Sequence, residues 1–251
     1  MTDLCVILIK EVSILQELKN FNTIITGATG ALGREVALEF LRNGGNVITN
    51  YRDENKFLDL KKYVFDSKKL HGYQADLTLE NNVKSFFAQV EDRFKRIDAL
   101  IHLMGGFWMG KEIADTDLNN WKHMMSLNLT STFLCTREVF SKMRKQCGGT
   151  IITISSKTAD EFPDRMGAYS VSKAAVLGLT QTLANEGKPY NIQANCLMPS
   201  IIDTPANRNS MPDSDYTKWV NPNDIAKLLV QLCKPQARLL SQTALKIYGK
   251  L

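Results

Sequence analysis

Thr23-Ile24-Ile25-Thr26-Gly27-Ala28-Thr29-Gly30-Ala31-Leu32-Gly33 is the most informative run in this chain. Its first four residues are β-branched, three are followed by apolar or small neighbours, and the run suits a buried strand. It passes with no linker into a segment holding three glycines, and then into residues 34–42, whose apolar positions recur with helical spacing. Glycine lets a backbone turn tightly and lie close to another group. A strand, a glycine turn and a helix in that order leave free N–H groups and a partial positive charge at the turn. That is a cradle for an anion, and in the first strand–helix unit of a chain it predicts the pyrophosphate of a dinucleotide. A glycine-rich turn alone is weak evidence; the strand before it and the helix after it carry the reading.

Outward from this unit, short β-rich runs alternate with longer amphipathic ones. Strands are predicted at 46–49, 70–74, 99–103, 150–155, 191–196 and 243–248. Helices are predicted at 56–65 and 79–94, over one long zone at 118–146, from about residue 168, and at 223–233. Such alternation predicts an α/β protein: a Rossmann-type, doubly wound, mostly parallel seven-stranded sheet with helices on both faces. Ligands of such sheets bind at the carboxyl ends of the strands.

The 251 residues suit one domain, taken as 21–251, with residues 1–20 as an N-terminal extension that forms an extra strand or short helix. The apolar run at 4–9 is too short to span a bilayer and has no basic segment before it, so neither a membrane span nor a signal peptide is expected. The net charge of +5 is spread along the chain without the dense basic patch that nucleic acid requires. The five cysteines, Cys5, Cys135, Cys147, Cys196 and Cys233, contain no C-x-x-C pair, and His71, His102 and His123 share no metal-ligand spacing. A reduced, cytoplasmic protein with no metal is the expectation.

Cofactor choice turns on the end of the second strand. An NAD-binding unit of this kind places a carboxylate there for the ribose 2′-hydroxyl. This chain has Tyr51 and Arg52. A cation meets a 2′-phosphate, so NADP(H) is favoured over NAD(H). Arg52 also reads as an exposed loop arginine, and Asp53 follows it closely. Asp76, with Leu77, stands after the third strand, where a carboxylate suits a cap for the next helix; it also resembles the aspartate with which dinucleotide-binding families of this fold hold the adenine amino group.

Tyr169-Ser170-Val171-Ser172-Lys173 has helical spacing, which puts the phenol and the ammonium on one helix face. A phenol's ordinary pKa near 10 is too high for easy proton exchange at neutrality, and a nearby ammonium lowers it. Tyr169 could then protonate a carbonyl oxygen, or deprotonate an alcohol in reverse. Such a pair occurs by chance roughly once in a chain of this make-up, so its neighbours carry the specificity. Ser156 lies at the end of a predicted strand, where its hydroxyl can hold the substrate oxygen against the phenol.

Taken together, these residues resemble the short-chain dehydrogenase/reductase family from about residue 20 to the end. Gly27 and Gly33 match its T-G-x-x-x-G-x-G fingerprint; Ala31 stands at the middle glycine, with Gly30 shifted by one. Ser156, Tyr169 and Lys173 match the family's catalytic residues, and Asn128 its asparagine, which interrupts a helix and holds a water for a proton relay to the lysine. The resemblance implies cofactor contacts from Gly27, Thr29, Gly30, Ala31, Leu32, Gly33, Tyr51, Arg52, Asp76, Leu77, Met104, Gly105, Tyr169 and Lys173. It adds Pro199, Ile202 and Thr204 from a loop like the family's P-G-x-x-x-T, here with Ser200 for glycine. The usual N-N-A-G is replaced by His102-Leu103-Met104-Gly105, expected to keep the shape but not the side-chain hydrogen bonds. The implied activity is hydride transfer between NADP(H) and a carbonyl or alcohol, apolar or flat to judge from Phe107, Trp108, Met109, Met166, Met198, Met211 and Trp219.

The stretch 203–213 with Asp215 and Trp219, and the loop at 105–110, are similar to dihydropteridine reductases, although that group lacks a serine where Ser156 stands. A non-catalytic NADP-binding regulator and an extended-type sugar-nucleotide enzyme are further alternatives. The first usually loses the tyrosine or lysine, and the second adds a C-terminal substrate domain. The family resemblance also implies a homo-oligomer, a dimer or tetramer, built on the helices that hold Asn128 and Tyr169.

Overall fold

The structure, a computed structural model, describes residues 18–250. The strand or helix expected at the N-terminus lies outside the described residues, apart from Leu18-Lys19-Asn20. Of these, Leu18 is buried in the core and its N–H donates to the Asn43 carbonyl.

Seven strands form one sheet: β1 Asn22–Thr26, β2 Asn46–Tyr51, β3 Leu70–Gln74, β4 Ala99–His102, β5 Gly149–Ile154, β6 Ile192–Pro199 and β7 Ala244–Ile247. Their order is β3-β2-β1-β4-β5-β6-β7, and every neighbouring pair is parallel. The chain winds outward from β1 to β3, then returns to β4 on the other side of β1. That reversal opens a crevice above the ends of β1 and β4.

Strand residues alternate between two packed layers, as the two-residue repeat of a strand requires. Ile25, Ile101 and Ile152 face α1 (Ala31–Arg42) and α9 (Pro222–Leu232), with Val36, Phe40 and Leu229 against them. Ile24, Leu100 and Ile151 face α3 (Glu80–Arg93), α5 (Ser131–Lys145) and α7 (Gly167–Gly187), against Phe86, Val139 and Ala184. All eight residues of β6 are buried, Gln193 and Asn195 among them, and Asn195 Nδ2 is satisfied by the Leu240 carbonyl at 2.8 Å.

The remaining helices are short. α2 (Glu54–Lys61) is capped by Asp53, whose carboxylate accepts from Asn55 N at 2.9 Å. α4 (Leu118–Met124) leads into one turn of π-helix, Met125–Thr130, before α5 begins. The single helical zone expected at 118–146 is thus three segments. α6 (Thr158–Glu161) and α8 (Pro205–Ser210) are short helices that periodicity does not reveal. Among the described residues no helix is long and apolar enough to cross a membrane, and no His, Cys, Asp and Glu cluster could hold a metal.

Candidate active site

The glycine turn behaves as its sequence requires. Gly27 sits at φ +73°, a left-handed conformation that favours glycine. Gly30 N–H donates to the Gly27 carbonyl at 3.0 Å, closing the turn. A Cβ on Gly33 would stand 2.1 Å from the Gly27 oxygen and 2.7 Å from Ala28 Cα, so only glycine lets α1 pack against the turn. Around it lies a cleft of about 410 Å³. Gly27, Thr29, Gly30, Ala31, Leu32 and Gly33 form its floor, Tyr51 and Arg52 one side, and Met104, Gly105 and Thr204 the other.

The ends of β2 and β3 extend the cleft. Tyr51 is stacked on Phe57 of α2 with ring centroids 4.9 Å apart. Arg52 is exposed and makes no ion pair among the described residues. The Asp53 carboxylate caps α2, accepting from Asn55 N. A second hollow of about 450 Å³ adjoins, lined by Arg52, Gln74, Ala75, Asp76, Asn82 and Ser85. Burial pushes the Asp76 carboxyl up, but the Thr78 hydroxyl and N–H and the Arg52 guanidinium outweigh it and hold the acid below its ordinary value. Asp76 accepts from the Thr78 N–H and hydroxyl in the turn before α3, whose cap position is Leu79, so Asp76 is not the helix cap; it lines this hollow. The Leu77 side chain does not, being wholly buried in the core beneath. Pro199 and Ile202 also stand back from the cleft wall; Pro199 pairs with Ile247 in the sheet, and Ile202 bridges to Val220.

Asn128 is buried in the π-turn and grips the segment after β4. Its Oδ1 accepts from Gly106 N at 2.8 Å, and its Nδ2 donates to Gly106 O at 3.1 Å and to Ser172 Oγ at 2.9 Å. Both amide protons are therefore in use. One Oδ1 lone pair is what the side chain has left for a relay water, and the backbone carbonyl already accepts from Thr132 Oγ1, so the side chain is chiefly a clamp.

Ser156 follows β5, and Tyr169 and Lys173 rise from the first turns of α7. Ser155 Oγ donates to the Lys173 carbonyl at 2.7 Å and fixes α7 against the strand end. Lys173 is buried; its Nζ donates to Ile154 O at 3.0 Å, stands 6.0 Å from the centre of the Tyr169 ring, and would lie 3.1 Å from a Cβ on Gly105. Gly105 is thus the junction between the cleft and the polar cluster. Phe107 meets the Tyr169 ring edge-on, with centroids 5.0 Å apart.

The electrostatics differ from the expectation that Lys173 lowers the Tyr169 pKa. Burial pushes the phenol up, and a hydrogen bond from Ser156 only partly reverses this. Burial also pulls the Lys173 ammonium down, to about 8. The desolvation that raises the phenol also weakens the cation meant to oppose it.

The family profile described as short chain dehydrogenase matches residues 22–215. The chain belongs to this family. An uncharacterized oxidoreductase of Bacillus subtilis, YxjF, is 30% identical over 227 residues, covering 90% of this chain and 88% of its own. A 3-oxoacyl-(acyl-carrier-protein) reductase of Synechocystis is 29% identical over 210 residues, with 81% and 85% covered. The solved structure titled ElxO with NADP Bound superposes with a TM-score of 0.86 at 26% identity, covering 92% of this chain and 98% of that one. As a short-chain dehydrogenase the protein is an oxidoreductase that transfers hydride with a nicotinamide cofactor.

In this short-chain dehydrogenase the replaced N-N-A-G segment departs from expectation. His102 is buried, and both ring nitrogens have partners: Nδ1 lies 3.1 Å from Thr26 Oγ1 and Nε2 3.4 Å from Ser131 Oγ. Side-chain hydrogen bonds are kept at this place, made by a ring instead of an amide. Sequence reading also missed Asn50, Leu103 and Leu127, which line the cleft. Asn50 is the most telling: its Oδ1 accepts from Gly27 N at 3.3 Å and its Nδ2 donates to Ala75 O at 3.1 Å. An asparagine, a poor strand former, one residue before the end of β2 was the available signal.

Proposed function

We propose that the protein is an NADP(H)-dependent reductase of apolar carbonyl compounds, working in reverse on the alcohols, with Tyr169 as the general acid. The observation that carries this reading is the Ser156–Tyr169–Lys173 cluster standing at Gly105, where the cleft ends. The residues present fit a dinucleotide. The turn that only Gly33 permits leaves backbone N–H groups of α1 for a pyrophosphate. The exposed Arg52 guanidinium, which has no ion pair among the described residues and stands between the cleft and the second hollow, suits a 2′-phosphate. When bound, the nicotinamide supplies or accepts the hydride.

The rest falls to the chain's own side chains. A phenol held above its ordinary pKa is fully protonated at neutral pH, the state a proton donor needs. Ser156 Oγ orients the substrate oxygen toward the Tyr169 hydroxyl. As the phenol gives up its proton, Lys173 stabilises the phenolate that forms; its contribution is to the product of the transfer rather than to the resting acid. Asn128 keeps Gly106 and Ser172 in register around the site. The Phe107 ring over Tyr169 and the half-buried Trp108 and Met166 favour an apolar substrate body. The family's oligomeric habit and a cytoplasmic location complete the proposal; Phe133 of α5 and Val171 of α7 are exposed apolar residues suited to a contact between copies.

A screen of NADPH oxidation over ketones, aldehydes, quinones and quinonoid dihydropterin tests the reading, with Tyr169→Phe beside the wild type. The variant should lose about 10²–10⁴-fold in turnover while binding NADPH almost as before. Unchanged turnover would remove Tyr169 as the acid.

A further inference from the structure

Thr26 ends β1 and His102 ends β4, and the two are opposite each other in the sheet register. Ser131 Oγ donates its proton to the Leu127 carbonyl at 2.6 Å. It can then only accept from His102 Nε2, 3.4 Å away, so the imidazole carries its hydrogen on Nε2. Nδ1 is left as a bare acceptor and takes the Thr26 hydroxyl proton at 3.1 Å. Thr26 Oγ1 in turn accepts from Met104 N at 3.3 Å. The opposite tautomer would set the Nε2 lone pair against a serine oxygen with no proton left to give. The chain therefore runs one way, from the Met104 N–H through Thr26, His102 and Ser131 to the Leu127 carbonyl, and every donor has an acceptor.

Its two ends, Met104 and Leu127, both line the cleft, on the segment after β4 and on the π-turn. We infer that His102 is a positioning residue: a neutral Nε2–H imidazole that joins the two walls of the cofactor cleft into one hydrogen-bonded unit. The ring has the reach to bridge both β1 and the π-turn. Burial, with the Lys173 ammonium nearby, keeps it uncharged, its pKa brought down to about 3. A charged imidazole would present a hydrogen on Nδ1 and lose the Thr26 hydroxyl as donor.

The inference rests on the nicotinamide reading for its binding arm alone. In the full chain labelled with ¹⁵N-histidine, His102 should report the Nε2–H tautomer and no titration between about pH 5 and 9. The Met104 amide, held by Thr26 Oγ1, should be protected from hydrogen exchange, and Thr26→Val should release it outright; His102→Phe, which keeps the bulk, removes both ring bonds and leaves the Thr26 hydroxyl without its acceptor, should lower the protection. The same variant should bind its nicotinamide cofactor about tenfold more weakly, with His102→Gln, which can accept and donate, restoring most of the loss. Should His102→Phe fail to fold, Thr26→Val takes its place and is read the same way, while Ser131→Ala, which leaves the Met104–Thr26 bond intact, is read by cofactor affinity and the His102 tautomer. An Nδ1–H or titrating imidazole in the wild type, or a folded His102→Phe or Thr26→Val variant with wild-type Met104 protection, would overturn the inference. So would a variant that lowers only Tm, with cofactor affinity unchanged. Wild-type protein that binds neither NADPH nor NADH would instead defeat the functional reading, while the tautomer and the exchange of Met104 still decide on the chain.

Discussion

Arg52 is exposed at the end of β2, makes no ion pair among the described residues, and borders both hollows. If it receives a 2′-phosphate, Arg52→Ala should raise KM for NADPH by about 10–100-fold, the worth of a charge-assisted contact, and leave NADH within about threefold. The ratio of kcat/KM for the two cofactors measures this, and an equal loss on both would speak against the assignment. Lys173 yields a prediction of its own. Its ammonium is the form that stabilises a phenolate, and burial has brought its pKa to about 8. Reduction should therefore hold steady below that pH and decline as the pH rises through it. Lys173→Arg, if accommodated, keeps its charge and should carry the plateau further into alkali; a pH–rate profile identical to wild type would rule Lys173 out as the titrating group. These residues were legible because their chemistry is tied to fixed spacing along the chain: a helical i, i+4 pair, and a serine at a strand end. His102 and Asn50 were not, because their partners Thr26, Ser131, Gly27 and Ala75 come from other strands and loops, and only the register of β1, β2 and β4 brings them together.

Among the elements, the π-turn at Met125–Thr130 is the one whose cause is not local. By periodicity residues 118–146 read as one amphipathic helix, in which Met125-Ser126-Leu127 breaks nothing, and only the family resemblance pointed to an interruption at Asn128. The extra residue in the turn is accommodated because Asn128 reaches Gly106 in the loop after β4 and Ser172 in α7. Helical periodicity records which face is apolar, not which amide finds a distant backbone. Asn128→Ala should leave the Gly106 N–H and carbonyl and Ser172 Oγ without these partners, at a cost of about 2–4 kcal/mol for several buried hydrogen bonds. Urea unfolding of the variant checks this, and kcat should fall as well, since Gly105 beside the released Gly106 borders Lys173. A variant as stable as wild type would mean the turn is held by something other than its amide. A similar non-local effect lengthened β6: the run from Leu197 to Pro199 joins the sheet because Leu245, Lys246 and Ile247 of β7 pair with it. The main strands and long helices, by contrast, were legible from periodicity to within a few residues.

At the scale of the whole molecule, a parallel sheet covered on both faces leaves little water around the groups at its strand ends, and this sets how the protein answers to acid. His102, at the end of β4, is held neutral by burial and by the Lys173 ammonium, with its pKa brought down to about 3. His71 in β3 is lowered to about 4, by burial first and by the Arg93 charge second. In the unfolded chain both return to about 6.5. Above that value neither state takes a proton and the pair has no effect on stability. Between about 6.5 and the folded values, the unfolded chain binds protons that the native one refuses, so stability falls as the pH falls. Below about 3 both states are protonated at His102 and its contribution levels off. The slope from His102 alone approaches about 1.4 kcal/mol per pH unit once the pH is well under 6.5; His71, only half-buried, adds in the same direction. Urea unfolding at a series of pH values from 7 to 4.5 would show the decline, and His102→Gln, which has nothing to titrate, should flatten most of it. Carboxylates whose pKa is lowered, such as Asp76 and Glu80, begin to lose their contribution as the pH falls through their unfolded values of 3.8 and 4.5, so the decline between pH 6.5 and 5 belongs to the imidazoles. A wild-type stability that does not change between pH 6.5 and 4.5 would mean that the imidazole at the end of β4 can take a proton within the folded protein, and that the sheet edge is wetter than its packing implies.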